Sequence, residues 1–295
     1  MTDLSYRAGA LVVAVAAILW SLQGLVIRLI ESADSWQVLF WRSVGVLPPL
    51  LALIAWRSRG RPFAAIRATG MAGLVGGASL VLAFGGAVYS IQATTVANAT
   101  FLFSAAPFLT ALLAWPVLKE PVRPRTWGAI ALAILGVALM VRQGFALGAG
   151  AGSLAALVSA AGFAVFTLAL RWGRIGDMLP AVAIGAALAA LAAAAATLAG
   201  GRSLVPDVPA DIAVTICLAA PLLFAGMALY TAGSRGLPAA ELTLIALLET
   251  MLAPVWVFLA LDERPGEGTL LGGALILAAV IGNAAAGGRR ASRPI

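Results

Sequence analysis

The chain has 295 residues, 62% of them hydrophobic and only 11% charged, with a net charge of +7 and a mean hydropathy of +1.02. A water-soluble fold of this length would lack the polar side chains to cover its surface, since soluble domains are about one quarter charged. There is no histidine and one cysteine, Cys217. This excludes an intramolecular disulfide, argues against a zinc or haem centre and removes the usual proton shuttle near neutral pH; neither a metal nor any other cofactor is expected.

A helix crosses hydrocarbon in about 20 residues, and lipid cannot satisfy free backbone N–H and C=O groups. The apolar runs here are long, continuous and rich in Ala and Leu, unlike the short alternating segments of a β-barrel. The fold class expected is therefore all-α integral membrane. Ten transmembrane helices are predicted, at 8–30, 35–56, 68–90, 94–118, 125–142, 152–172, 178–199, 211–234, 238–260 and 267–287. The breaks carry the chemistry of helix ends: Glu31 to Asp34, Arg57 to Pro62, Lys119 to Arg125, the glycine-rich Gly144 to Gly152, Pro206 to Pro209 and Asp262 to Pro265. Arg7 precedes the first apolar run as in a signal peptide, but the length of that run and the nine spans after it favour a retained helix.

With the N-terminus placed in the cytoplasm, all of the 19 basic residues except Arg28, Arg42, Arg142, Arg202 and Arg264 fall on the cytoplasmic side. The positive-inside rule then puts both termini there, in a membrane of the bacterial inner (plasma) type. The basic residues lie at helix ends, so topology accounts for the positive charge and no nucleic-acid partner is expected.

The chain also repeats itself. Ala105-Ala106-Pro107-Phe108-Leu109-Thr110-Ala111, running on to Lys119-Glu120, parallels Leu248-Glu249-Thr250-Met251-Leu252-Ala253-Pro254, running on to Asp262-Glu263. In each copy a proline follows the closing glutamate within two residues, and Ala97 to Thr100 aligns with Ala240 to Thr243. Two five-helix repeats are expected, residues 1–143 and 144–295. Because five is odd, the second copy must be inverted in the membrane, the arrangement of secondary transporters that bind substrate near the midplane between halves.

These residues resemble the EamA-type repeat of the drug/metabolite transporter superfamily. The likeness rests on Pro107 with Leu-Ala-Trp-Pro-Val-Leu-Lys119-Glu120, on Leu248-Glu249-Thr250 with Ala260 to Arg264, and on Leu19-Trp20-Ser21 and Phe40-Trp41-Arg42. It covers the whole chain in two copies, and its general character is similar to the YddG-type exporters of aromatic amino acids. The second copy departs from the pattern at Thr250, where proline is usual, so the kink of the first copy is not implied there. The resemblance implies a ten-helix carrier working by alternating access, sufficient as a monomer, with a small-molecule substrate and the lipid bilayer as its partners.

An ionisable group inside the membrane is costly and a functional candidate by default. Glu249 lies mid-helix, where it can bind a substrate ammonium, carry a coupling proton, or stay protonated and bonded to a neighbouring helix. Glu241 reads as a helix-end charge. Arg42 can snorkel to the surface, pair with an acid or meet a substrate carboxylate. Ser21 and Gln23 beside Trp20, Asn98, Thr100 and Ser104, and Thr243 are polar candidates for the amino and carboxylate groups of an amino acid; such side chains also bond helix to helix, at about 0.6 kcal/mol each. Phe84, Tyr89, Phe101, Phe163, Phe166 and Tyr230 can line an amphipathic cavity and stack on a planar substrate, or simply pack. Trp36, Trp41, Trp56, Trp115, Trp127 and Trp172 fall near helix ends as interfacial residues. Gly73, Gly76, Gly77, Gly85 and Gly86 permit close approach of the third helix to a neighbour.

The function expected is a secondary transporter exporting amino acids, aromatic and other, or similar amphipathic metabolites, with uniport and proton coupling both open. Multidrug carriers of the superfamily use a first-helix glutamate, where this chain has Gln23. Sugar-nucleotide or phosphorylated-metabolite carriers need cavity cations, and no Lys or Arg is expected mid-helix. A membrane enzyme would need a polar catalytic cluster, a channel a selectivity ring, and a scaffold neither; no enzyme activity is expected.

Overall fold

In a computed structural model, the described backbone covers residues 6–119, 124–233 and 239–291; the side chains at 6, 125, 239–244 and 284–291 are outside the description. Every regular element among these residues is a helix: α1 Tyr6–Arg28, α2 Ser35–Arg57, the short α3 Pro62–Ala68, α4 Gly70–Ala93, α5 Val96–Phe103, α6 Ala106–Leu118, α7 Pro124–Ala146, α8 Gly150–Trp172, α9 Leu179–Ala199, α10 Ala210–Val214, α11 Ala220–Gly233, α12 Ala239–Leu261 and α13 Glu267–Ala291. A π-helical segment, Thr215–Ala219, joins α10 to α11. Among the described residues, eight stretches are long and apolar enough to cross a membrane, counting α5 with α6 and α10 with α11 as one each. Apolar parts of α12 and α13 add two shorter ones, Ile245–Leu261 and Glu267–Asn283.

Two of the predicted helices are not uniform. The run expected over 94–118 breaks at Ser104 and Ala105, between α5 and α6. Pro107 lacks an N–H and crowds the preceding turn, so α6 starts afresh with proline in its first turn. The run expected over 211–234 contains the π segment, which holds one residue more per hydrogen-bonded turn. By contrast α12 runs unbroken through Thr250, as the absence of proline there implies. The linker expected over Gly144 to Gly152 is mostly helix, leaving three residues between α7 and α8.

Helix contacts follow the small residues. α4 packs on α8 and α9, α2 on α9, α1 on α11 and α12, and α7 on α13. Gly86 faces the Ala155 carbonyl and Ser159 of α8, Gly162 faces Ser79 and Ala83 of α4, and Gly77 faces Ile184 and Gly185 of α9. A Cβ on any of these would meet backbone or side chain well inside van der Waals contact, so these backbones touch because the residues are glycine. Ser159 seals the α4–α8 seam by donating to the Ala83 carbonyl at 2.7 Å. Trp36, Trp56, Trp115, Trp127 and Trp172 are exposed on the bundle surface, as interfacial residues should be.

Carboxylates at the helix ends tie distant segments together. Asp211 is 2% exposed and accepts from the N–H groups of Glu31, Ser32 and Ala33, locking the α1–α2 turn onto α10. Asp34 caps α2 in a capping box with Gln37. At the opposite ends of the helices, Arg57 pairs with Asp177 at 3.1 Å and joins α2 to the α8–α9 turn. Glu263, just after α12, accepts from the Val96 N–H that opens α5 (2.7 Å) and pairs with Arg28 at the end of α1 (2.8 Å). Glu263→Ala therefore removes a helix cap and an ion pair together. It is expected to cost roughly 1.5–3 kcal/mol, the range for a charged hydrogen bond, read as a lower thermal-unfolding midpoint in detergent. Arg28→Ala should cost less and show coupling with Glu263→Ala in a double-mutant cycle.

Candidate functional site

The largest apolar cluster among the described residues has residues of α2, α4, α8, α9 and α11 at its centre, with Trp20 of α1 packed against it. Its aromatic wall includes Trp20, Phe84, Phe163 and Phe166, with Phe40 and Phe224 also packed against the cluster. Trp20 meets Tyr230 of α11 with ring centroids 5.4 Å apart and an interplanar angle of 36°. Phe163 lies 5.9 Å from Phe166 and 5.6 Å from Phe103, the last residue of α5. Gly226 makes room for this wall: a Cβ there would fall on the Trp20 indole. Trp20 Nε1 is buried without a hydrogen-bond partner, an uncommon state for an indole N–H.

Trp20, Arg42 and Phe84 lie eight, seven and nine residues from the helix ends Arg28, Ser35 and Ala93. At 1.5 Å per residue this is a depth of about 10–14 Å. At that level Arg42 departs from the sequence reading. It does not snorkel: the residue is 4% exposed. Nor does it pair with an acid among the described residues. Its guanidinium carbon stands 5.4 Å from the Phe84 ring centroid, a terminal nitrogen is 3.4 Å from the Phe84 carbonyl, and Nε has no partner. The expectation that no cation lies mid-helix is thus overturned. Seven residues into α2 the side chain is already covered by α4, and α2 leaves it no route to the surface. A cation–π contact contributes about 0.5–2 kcal/mol, whereas a charge buried in a membrane costs several.

The other candidates fall into separate groups. Ser21 donates to the Ile18 carbonyl and accepts from Trp256 Nε1 at 2.8 Å, linking α1 to α12. Gln23 donates to the Ala219 carbonyl at the end of the π segment (2.8 Å), and its Oε1 is unpartnered. Glu249 is half-buried on α12, with no hydrogen bond or ion pair among the described residues. Asn98 is 3% exposed; its amide donates to Thr94 at 3.0 Å and Ser153 at 2.7 Å, and its Oδ1 is unpartnered. Asn98 lies one turn inside α5 and lines a cavity of about 280 Å³ with Arg28, Gln92, Thr94, Gln143 and Thr269, at the helix ends rather than beside the aromatic wall. Thr100 and Ser104 bond carbonyls of their own helix. Phe101 packs on Gly273 of α13 in a different cluster, and Tyr89 is 43% exposed on the bundle surface. The side chains of Glu241 and Thr243, and Glu120, lie outside the described residues.

The site thus has three features that sequence reasoning missed: Phe103, Met227 as a cluster member, and the burial of Arg42. Phe103 becomes legible only once the helix is known to break after it. Met227 stands at the same offset from Phe84 as Phe163 does from Trp20, a signal available in the sequence.

This architecture is that of a helical membrane protein with a buried aromatic centre. Residues 7–142 match the model of the EamA-like transporter family, which puts this half of the chain in that family; the family consists of membrane transporters of the drug/metabolite superfamily. No curated protein matches the chain. Among solved structures, a crystal structure superposes on 94% of this chain and 98% of its own with a TM-score of 0.63, at 19% identity. At that identity the likeness is one of fold.

Gly226→Ala should force the Trp20 indole or the α11 backbone to move. If the aromatic wall is the binding surface, an aromatic substrate should bind at least about tenfold more weakly, a loss of roughly 1.4 kcal/mol, with the protein still monodisperse.

Proposed function

We propose that the chain is a secondary transporter that exports amino acids, aromatic ones among them, or similar small amphipathic metabolites. Substrate binds near the midplane between two inverted five-helix repeats, and the halves alternate in opening to either side. One observation carries the reading. The central cluster contains several residue pairs separated by a constant 143 positions, among them Trp20 and Phe163, Leu39 and Val182, Val46 and Ala189, Leu50 and Ala193, Leu80 and Leu223, Phe84 and Met227. A cluster assembled from both members of each pair is what a two-fold axis through the site would produce.

Further features support the same duplication. The contact of α4 with α8 has its counterpart in that of α11 with α1, and α1 with α12 in α8 with α5 and α6. The contacts of α2 with α9 and of α7 with α13 join equivalent helices and map onto themselves. Lys119 and Asp262, also 143 positions apart, are both in the left-handed backbone region, at φ 55° and 52°. An apolar wall with aromatic faces suits a substrate with a planar apolar body, which favours amino acids over sugar nucleotides. Gln23 in place of a first-helix carboxylate stands against proton exchange for cationic drugs at that position.

Glu249 is the candidate for proton coupling: a half-buried carboxylate with no partner among the described residues is available to exchange a proton or meet an ammonium group. Purified protein in proteoliposomes should take up labelled phenylalanine, threonine or methionine saturably and competably. If a pH gradient drives uptake, Glu249→Gln should abolish the gradient effect while leaving exchange of substrate for substrate. An unchanged pH profile would remove Glu249 from the mechanism. Absence of uptake for all three, with folded protein, would overturn the amino-acid reading.

A further inference from the structure

We propose that Arg42 is the anion anchor of the substrate site, and that the transporter therefore selects substrates with a carboxylate beside a planar apolar body. This deepens the transporter reading above and rests on it. Arg42 is 4% exposed, its Nε has no acceptor, and no carboxylate among the described residues pairs with it. Leu39 and Val46, one turn away on α2, and Leu80 and Ala83, beside Phe84 on α4, are apolar and buried. A guanidinium is always charged, so this environment leaves a permanent cation without a counter-ion.

What covers the guanidinium indicates the ligand. Phe84 presents an oxygen and a π face to it: the carbonyl at 3.4 Å from a terminal nitrogen and the ring centroid at 5.4 Å from Cζ. An aromatic amino acid carries the same two groups, with a carboxylate in place of the neutral carbonyl. That exchange turns a long, weak hydrogen bond into a charge-assisted one that the guanidinium fork can make bidentate. An aromatic amine offers only the π face and adds a like charge.

The position also lies beside an irregular stretch of the bundle. One turn further along α2, Gly45 touches Ile216 and Ala220 in and beside the π segment. On the other side of Arg42 stands α4 with Phe84. Segments of π-helix within α-helices recur at functional sites. Arg42 has no counterpart in the second half, where the residue 143 positions on is Gly185, buried against Leu80. The cation is an addition to the repeated scaffold rather than part of it.

The test uses the full chain in proteoliposomes, exchanging labelled phenylalanine against unlabelled competitors: phenylalanine, 3-phenylpropionate, phenylalaninamide and phenethylamine. In the wild type the two acids should compete within about tenfold of each other, and the amide and amine at least about 30-fold more weakly. Arg42→Met should weaken both acids by at least about 30-fold and change the amide by less than about threefold, with Arg42→Lys between the two. Equal competition by acids and amides in the wild type would overturn the proposal. So would an Arg42→Met variant that weakens acids and amide alike, the signature of a packing role. Should Arg42→Met fail to fold, the wild-type competition series and Arg42→Lys decide the matter. If the wild type exchanges no phenylalanine at all, the amino-acid reading has failed. Exchange of phenylalanine without preference for acids is a failure of the Arg42 assignment alone.

Discussion

Lipid offers no hydrogen bond to a peptide group, and every other feature of this molecule answers to that constraint. It makes each long apolar run a helix, and it turns each interruption into a site that must be resolved internally. The α1–α2 turn gives three N–H groups to Asp211. The start of α5 gives one to Glu263. The end of the π segment receives a donor from Gln23, 196 residues away in sequence. Charged and amide side chains are few, and those at such positions serve as remote partners for backbone that a continuous helix would have satisfied alone. They bind distant parts of the chain together in the process.

Between helices the hydrophobic effect gives no drive, because lipid is as apolar as the helix surface. Close approach then has to come from shape. Glycines on α4, α8, α7 and α13 bring backbone onto backbone, with Gly136 against the Gly272 carbonyl at the α7–α13 crossing as the clearest case. The larger side chains are thereby concentrated elsewhere: aromatic rings at the centre, tryptophans at the rim. The aromatic centre and the glycine seams are two results of one distribution of side-chain volume.

The overall fold was legible because hydropathy is a signal of long range along the chain. Most helix positions and the close contacts of Gly76, Gly77 and Gly86 on α4 could be read from residue order, whereas Gly73 faces only Thr69 at the start of its own helix. The break at Ser104 and Ala105 was hidden because proline signals a disturbance but not which side of it the helix abandons. The π segment was hidden because Thr215 to Ala219 is an ordinary apolar run whose extra residue is visible only in the backbone. Within the site, Trp20, Phe84, Phe163 and Tyr230 came together as a group, whereas Tyr89 and Phe101 did not: period and composition name candidate rings but not the face each one turns to. Arg42 is the sharpest case. Its sequence position near a helix end suggested escape to the surface, and only the placement of α4 over it shows that no escape exists.

The inequality between Arg42 and Gly185 has an energetic consequence. Two halves that were chemical copies would, on exchanging conformations, return an identical molecule seen from the other side, so both states would be degenerate. The halves already differ at pairs such as Trp20 and Phe163 or Phe84 and Met227, and on the proposed transport cycle a guanidinium on one half alone adds an electrostatic difference to those of shape, because a charge is sensitive to how far each state exposes it to water. For a carrier of the proposed kind, the empty protein then has a preferred resting state set by its own sequence, and an anionic ligand that neutralises the cation removes the electrostatic part of that preference.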